Sequence, residues 1–160
     1  MAQYDYVIVG GGSAGCVLAA RLSEVASARV LLLEAGPSDT NPYIHMPVGF
    51  FKMTSGSLIW GFQTAPLKHA NNRVAVYPQA RVLGGGSSIN AEIYTRGCPQ
   101  DYDSWANDHG CDGWSWNELK HYFIKSEGNT RLGGADHGID GPLGVSDLPQ
   151  PSRVSHAYVQ

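Results

Sequence analysis

The chain has 160 residues, enough for one ordinary domain with a true core, since a chain of this size can bury about 68–70% of the surface its unfolded form exposes. Eleven basic side chains against fourteen acidic ones give a formal net charge of −3, and the basic residues are scattered rather than gathered into a patch. That pattern argues against nucleic acid as a partner.

In chain order, Tyr4-Asp5-Tyr6-Val7-Ile8-Val9 reads as a short strand. The apolar positions Ala14, Val17, Leu18, Ala20 and Leu22 then mark one face of a helix, and Arg29-Val30-Leu31-Leu32-Leu33 returns as a second strand. This is a βαβ unit, and its two apolar runs lack polar alternation, as strands covered on both faces of a parallel sheet do. From Ala35 to about Pro78, repeated Pro and Gly interrupt every long helical period, which predicts extended connections and short helical turns. The aromatics Tyr43, Phe50, Phe51, Trp60 and Phe62 are expected to pack this long excursion against the sheet.

Further on, Ser115-Trp116-Asn117-Glu118 has the form of a capping box, predicting a helix to about Ser126. A glycine-rich loop region follows, Pro142 to Ser146 can begin a strand, and the final SRVSHAYVQ looks like the start of a helix. The apolar runs VIV and VLLL are far shorter than the roughly 20 residues a membrane-crossing helix needs. No secretory leader is expected ahead of the first strand. Cys16, Cys98 and Cys111 lie far apart with no CxxC spacing, so no metal site is expected and free thiols in a reducing, cytoplasmic setting are.

The stretch VIVGGGSAGCVLAARL carries the first chemical signal. Gly10-x-Gly12-x-x-Gly15 follows an apolar strand and opens a helix, the spacing that turns the chain sharply, admits a pyrophosphate against bare backbone and packs helix on strand. Glu34 closes the second strand about 20 residues later, where a carboxylate can accept from both hydroxyls of an adenosine ribose and would repel a 2′-phosphate. NADP is thereby disfavoured, while FAD and NAD both remain open.

Residues Ala80 to Asp103, ARVLGGGSSINAEIYTRGCPQDYD, resemble the first signature of the glucose-methanol-choline (GMC) oxidoreductases. The matched positions are Ala80-Arg81, Leu83, Gly84-Gly85, Gly86, Ser87, Ile89, Asn90, Tyr94, Gly97 and Asp103. The resemblance extends over the whole chain through Leu33-Glu34-Ala35-Gly36, Asp101-Tyr102-Asp103-x-Trp105, Gly113-Trp114-Ser115-Trp116 and Asp140-Gly141-Pro142-Leu143. It is nearest to choline-dehydrogenase-like and related alcohol dehydrogenase members of the family.

What the resemblance implies is an α/β, Rossmann-like FAD-binding βαβ domain with a parallel sheet, in which residues 1–140 form the FAD-binding portion and residues 141–160 begin an incomplete substrate domain. The implied cofactor-binding set is Gly10, Gly12, Ser13, Ala14, Gly15, Glu34, Ala35, Trp60, Arg81, Leu83, Gly84, Gly85, Ser88, Asn90, Ala91 and Ile93. Small residues at 84–88 would let bare backbone approach the phosphates and ring system, and Asn90 offers both a donor and an acceptor to a flavin edge. Trp60 can stack on a cofactor, although filling core is the commoner use of such a residue. Some family members attach FAD through a histidine just before the motif's asparagine; Ile89 stands there, implying noncovalent FAD.

The activity implied is oxidation of an alcohol, choline-like or another primary alcohol, with hydride passing to flavin N5. The family's catalytic histidine lies near the far carboxyl end of much longer chains, and none of His45, His69, His109, His121, His137 and His156 sits in that pattern. The 160 residues are therefore expected to be inactive alone, and the partners considered are a small-molecule alcohol for the full-length enzyme and either a carboxyl-terminal complement or a second copy in a homo-oligomer. A noncatalytic FAD- or ADP-binding module and a hydroxynitrile-lyase-like member are the competing readings.

Overall fold

Tyr6–Val9 forms strand β1 and Val30–Leu33 forms strand β2, paired in parallel with Tyr6 opposite Val30 and Val9 opposite Leu33, in a computed structural model that describes residues 3–159. A parallel pair needs a crossover, and the helix α1, Ser13–Leu22, supplies it. The expected βαβ unit is therefore present. Its strands are not covered on both faces, however: Tyr6 and Val7 are exposed and Val9 is 84% exposed. The reason is simple, because this sheet has two strands among the described residues and each keeps a free edge.

The residues divide into two compact units, Met1–Ile93 and Tyr94–Gln160. In the first, the excursion after β2 is built as expected from short pieces: helical turns at Pro42–His45, Pro47–Gly49 and Lys68–Ala70, the one-turn helix α2 at Phe50–Met53, and an antiparallel ribbon of β3, Phe62–Gln63, with β4, Val76–Tyr77. The ribbon is extended by pairing of Ile59 with Ala80 and by the Arg81 N–H donating to the Leu58 carbonyl at 2.7 Å. Its buried cluster is aliphatic, Met53, Leu58 and Val82 with Ile44, Ala80 and Ile89 against it. The aromatics expected to seal the excursion lie mostly outside that cluster, with Tyr43, Phe51, Trp60 and Phe62 all exposed. A two-stranded sheet offers too little apolar surface to cover them.

The second unit opens with a helix the sequence reading did not anticipate, α3 at Pro99–His109. Proline at its first position costs no hydrogen bond there, the Asp101 carboxylate accepts the Cys98 N–H at 3.1 Å, and Gly110 ends it at φ +66°. The helix α4, Trp116–Ser126, follows with the anticipated capping box: Ser115 donates both its N–H and its hydroxyl to Glu118, at 3.1 and 2.6 Å. Asp103 of α3 accepts the Trp116 N–H at 3.0 Å, so one carboxylate fixes α4 against α3. Tyr102 sits at the centre of their packing, its ring 5.2, 5.4 and 5.6 Å from those of Trp105, Trp116 and Phe123.

Strand β5, Glu127–Asn129, continues directly from α4 and pairs in parallel with β6, Leu143–Val145, within the stretch expected to be extended. The terminal helix α5, Arg153–Val159, likewise falls where a helix start was expected, with Gln160 outside the described residues. None of the described helices is long and apolar enough to cross a membrane.

Glu127 is fully buried at the join of α4 and β5. Its carboxylate accepts from the Arg96 guanidinium, from Asn129 Nδ2 at 2.8 Å and from His137 Nδ1 at 2.9 Å. Arg96 also donates to the Asp136 carbonyl at 2.7 Å, and Asp136 pairs with Lys120. Burial alone pushes this carboxyl up; hydrogen bonds from Asn129, His137 and the Gly138 N–H, with the charge of His137, outweigh it and hold Glu127 down from 4.5 to about 2. A depressed carboxyl stabilises fully above its unfolded value and loses that contribution as pH falls through its folded value. Stability measured by urea unfolding, followed by near-ultraviolet circular dichroism, should therefore fall between pH 5 and 2 in the parent protein. Glu127→Gln should cost about 3 kcal/mol at neutral pH, by leaving buried donors unpaired, and should flatten that acid limb.

Candidate functional site

Three stretches far apart in sequence converge at the carboxyl ends of β1 and β2. The first is the turn Gly10–Gly12, which leaves β1 with Gly10 at φ +101° and the Gly10 N–H donating to the Leu33 carbonyl at 2.7 Å. Helix α1 then starts so close to the turn that a Cβ at Gly15 would run into the Gly10 carbonyl. Gly12 is the helix cap and has no side chain with which to bond the first-turn N–H groups. The N–H groups of Ser13, Ala14 and Gly15 are thus the first-turn donors for which a helix has no internal acceptor, and they carry its positive end.

The second stretch is the end of β2. Glu34 places one carboxylate oxygen 2.7 Å from the Gly11 N–H and the other 2.8 Å from the Gly36 N–H, accepting from both. The third is Arg81 to Ser88. Leu83 donates its N–H to the Pro37 carbonyl at 3.0 Å, Gly84 donates to the Gly11 carbonyl at 2.7 Å, and a one-turn helix, Gly85–Ser88, follows. Gly85, at φ +57°, lies against the first turn so tightly that its Cβ would be 2.6 Å from the Gly12 Cα. The Ser88 hydroxyl closes the turn on the Leu83 carbonyl at 2.7 Å.

Of the residues singled out from the sequence, Gly10, Gly12, Ser13, Ala14, Gly15, Glu34, Ala35, Arg81, Leu83, Gly84, Gly85 and Ser88 belong to these converging stretches. Trp60 joins them through Arg81, whose guanidinium carbon stands 5.6 Å from the indole centroid, and it stacks on Phe62 at 6.1 Å. It does not fill core: it is 48% exposed, because the ribbon turns that face outward. Asn90, Ala91 and Ile93 lie just beyond, in an exposed stretch. There the Asn90 Oδ1 accepts the Glu92 N–H at 2.9 Å, with Glu92 at φ +57°. Gly11, Gly36 and Pro37 are members outside the set of site residues read from the sequence, although Gly11 stands inside the glycine run and Gly36 two places after the acidic residue.

A diphosphate-bearing nucleotide fits this arrangement on three observations. The start of α1 offers uncapped donors, and Arg81 keeps its Nε buried with no hydrogen-bond partner among the described residues. Gly12 supplies the third, because its backbone, at φ −77° and ψ −172°, is one any residue adopts, and a Cβ there would meet the Gly85 Cα only at 4.0 Å. Packing does not require glycine at 12, and its bare Cα leaves room for a ligand to approach the backbone closely.

The chain belongs to the GMC oxidoreductase family, whose model matches residues 4–160. The GMC oxidoreductases are FAD flavoproteins. An alcohol dehydrogenase [acceptor] of Pseudomonas putida is 51% identical over 99% of this chain and 29% of its own length. An oxygen-dependent choline dehydrogenase of Sinorhizobium fredii is 40% identical over 99% of this chain, again 29% of its own. Among solved structures, pyridoxine 4-oxidase from Mesorbium loti superposes with a TM-score of 0.91 at 37% identity, covering 98% of this chain and 31% of that one. The chain thus spans somewhat under a third of these relatives, and the fold it shares with them is mixed α/β with parallel strands.

The contrast between the two touching glycines is measurable. Gly85→Ala should cost about 2–4 kcal/mol, from the left-handed backbone and the collision with Gly12, and lower the thermal midpoint by several degrees. Gly12→Ala should stay within about 1 kcal/mol of the parent.

Proposed function

We propose that this chain is the FAD-holding part of a flavin-dependent alcohol dehydrogenase or oxidase. Residues 1–140 serve the cofactor and residues 141–160 begin the part that would wall a substrate. The observation that carries the reading is Gly12, a glycine that backbone and packing leave free, set at the uncapped start of α1. In this reading the N–H groups of Ser13 and Ala14 and the Arg81 guanidinium hold the pyrophosphate, and Glu34 accepts from the ribose. Gly84, Gly85 and Ser88 bring backbone and a hydroxyl to the far phosphate and ring, and Asn90, Ala91 and Ile93 border the ring. Trp60, open on one face, is a stacking surface.

FAD, when bound, supplies a ring that accepts hydride from an alcohol carbon. The protein's share is to fix that ring and exclude water from it, and the attachment is noncovalent, since Ile89 offers no nucleophile. Among the histidines, His45 is bonded to the Asp39 carbonyl at 2.7 Å and His137 to Glu127, and none of the six sits in the pattern of the family's catalytic histidine. We therefore assign these 160 residues cofactor binding without turnover by themselves. Removal of the alcohol proton falls to a complementing carboxyl-terminal portion. Free Cys16, Cys98 and Cys111 suit a cytoplasmic setting.

Incubating the purified protein with FAD, desalting it and recording the visible spectrum tests the reading. A flavin spectrum retained at one FAD per chain and released by acid is expected, with no alcohol-dependent dye reduction. Gly12→Ala should lose the flavin while keeping its thermal midpoint. Colour that stays with the acid precipitate would overturn noncovalent binding, and absence of any retained flavin would overturn the cofactor assignment.

A further inference from the structure

Glu34 does more in this structure than stand ready for a ribose. Both of its oxygens are already engaged by backbone donors, Gly11 at 2.7 Å and Gly36 at 2.8 Å, and these two amides belong to different walls of the site. Gly11 is the middle residue of the first glycine turn, and its carbonyl accepts the Gly84 N–H at 2.7 Å and the Cys16 thiol at 3.2 Å. Gly36 lies so close to the Arg81–Val82 peptide that a Cβ there would collide with it, and the next residue, Pro37, accepts the Leu83 N–H. One carboxylate therefore ties the turn that would meet the phosphates to the segment that backs it.

We infer that Glu34 is a positioning residue for the diphosphate, holding the Gly10–Gly12 turn in its receiving shape whether or not a nucleotide is present, in addition to any bond it makes to a ribose. This rests on the nucleotide reading above. The chemistry is specific to a carboxylate. Two N–H donors from opposite sides require two acceptor oxygens, and each oxygen keeps a further lone pair for a hydroxyl. Glutamine keeps the shape but presents one acceptor and one NH₂, so one of the two amides would face a donor and lose its partner.

A pair of probes separates positioning from ribose binding. ADP carries both ribose hydroxyls, and 2′,3′-dideoxyadenosine diphosphate carries neither, so only the first can report a bond from Glu34 to the sugar. Titration calorimetry of the 160-residue protein and of Glu34→Gln with both probes is the experiment. The expected result is that the variant weakens both by a similar factor, roughly ten- to a hundredfold, with one site per chain retained. In the nucleotide-free variant, hydrogen exchange at the Gly11 or Gly36 amide should also accelerate. A variant that weakens ADP while binding the dideoxy probe as the parent does would overturn positioning and leave the nucleotide reading standing. A parent protein that binds neither probe would overturn that reading and this inference with it. Should Glu34→Gln not fold, exchange in the nucleotide-free parent decides: slow exchange at Gly11 and Gly36 beside fast exchange at Ser13 supports positioning, and equal rates at all three reject it.

Discussion

The contact on which the first unit depends is backbone against backbone, where the Gly84 N–H reaches the Gly11 carbonyl at 2.7 Å and Gly85 rests on Gly12. A seam of this kind has no side chains to adjust, so its spacing is set by peptide geometry and its tolerance for added atoms on the Gly85 side is close to nil. Everything else in the unit arranges itself around that limit. The ribbon of β3 and β4 delivers Arg81 and Val82 to the seam, the aliphatic cluster under Val82 anchors it from behind, and Glu34 braces it from the side. A surface of bare amides then results where three chain segments meet, which is what a highly charged, planar-ended ligand needs and what ordinary side-chain packing would obstruct.

The second unit solves a different problem by a different device. Helices α3 and α4 share one aromatic centre at Tyr102, while Glu127 gathers Arg96, Asn129 and His137 about a buried charge. Such an arrangement is costly to desolvate and becomes stable only when every lone pair finds a donor. Its reward is definition: the loop of Asp136 to Gly138 and the start of β5 are fixed relative to the segment before α3, a fixity that dispersion forces alone would not give to so glycine-rich a stretch.

How much of this was legible in the sequence depended on whether the determinant was local. The glycine spacing with Glu34, the two apolar runs and the Ser115 to Glu118 box are all written within a few residues of where they act, and the βαβ unit and α4 follow from them. Helix α3 is equally local, signalled by Pro99, Asp101 and Gly110, but Pro99 and Asp101 fall inside the glycine-bearing signature, whose Gly97 and Cys98 mask the helix start. The bracing of Gly36 against Val82 and the pairing of Arg96 with Glu127 join residues 46 and 31 places apart, and no periodicity reports such meetings. Trp60 failed for another reason. Its residue type predicts burial on average, whereas its actual exposure follows from which face of the ribbon turns outward.

The seam also sets an order of events during synthesis. Gly11 leaves the ribosome well before Gly84, and at about 5–20 residues per second several seconds separate them. Throughout that interval the first glycine turn exists beside β1 and α1 without the segment that backs it, so the nascent chain carries half a site. A ligand that touches both glycine segments would meet a finished surface only after the second has emerged, while the exposed Tyr6, Val7 and Val9 of β1 stay open for the whole of the wait.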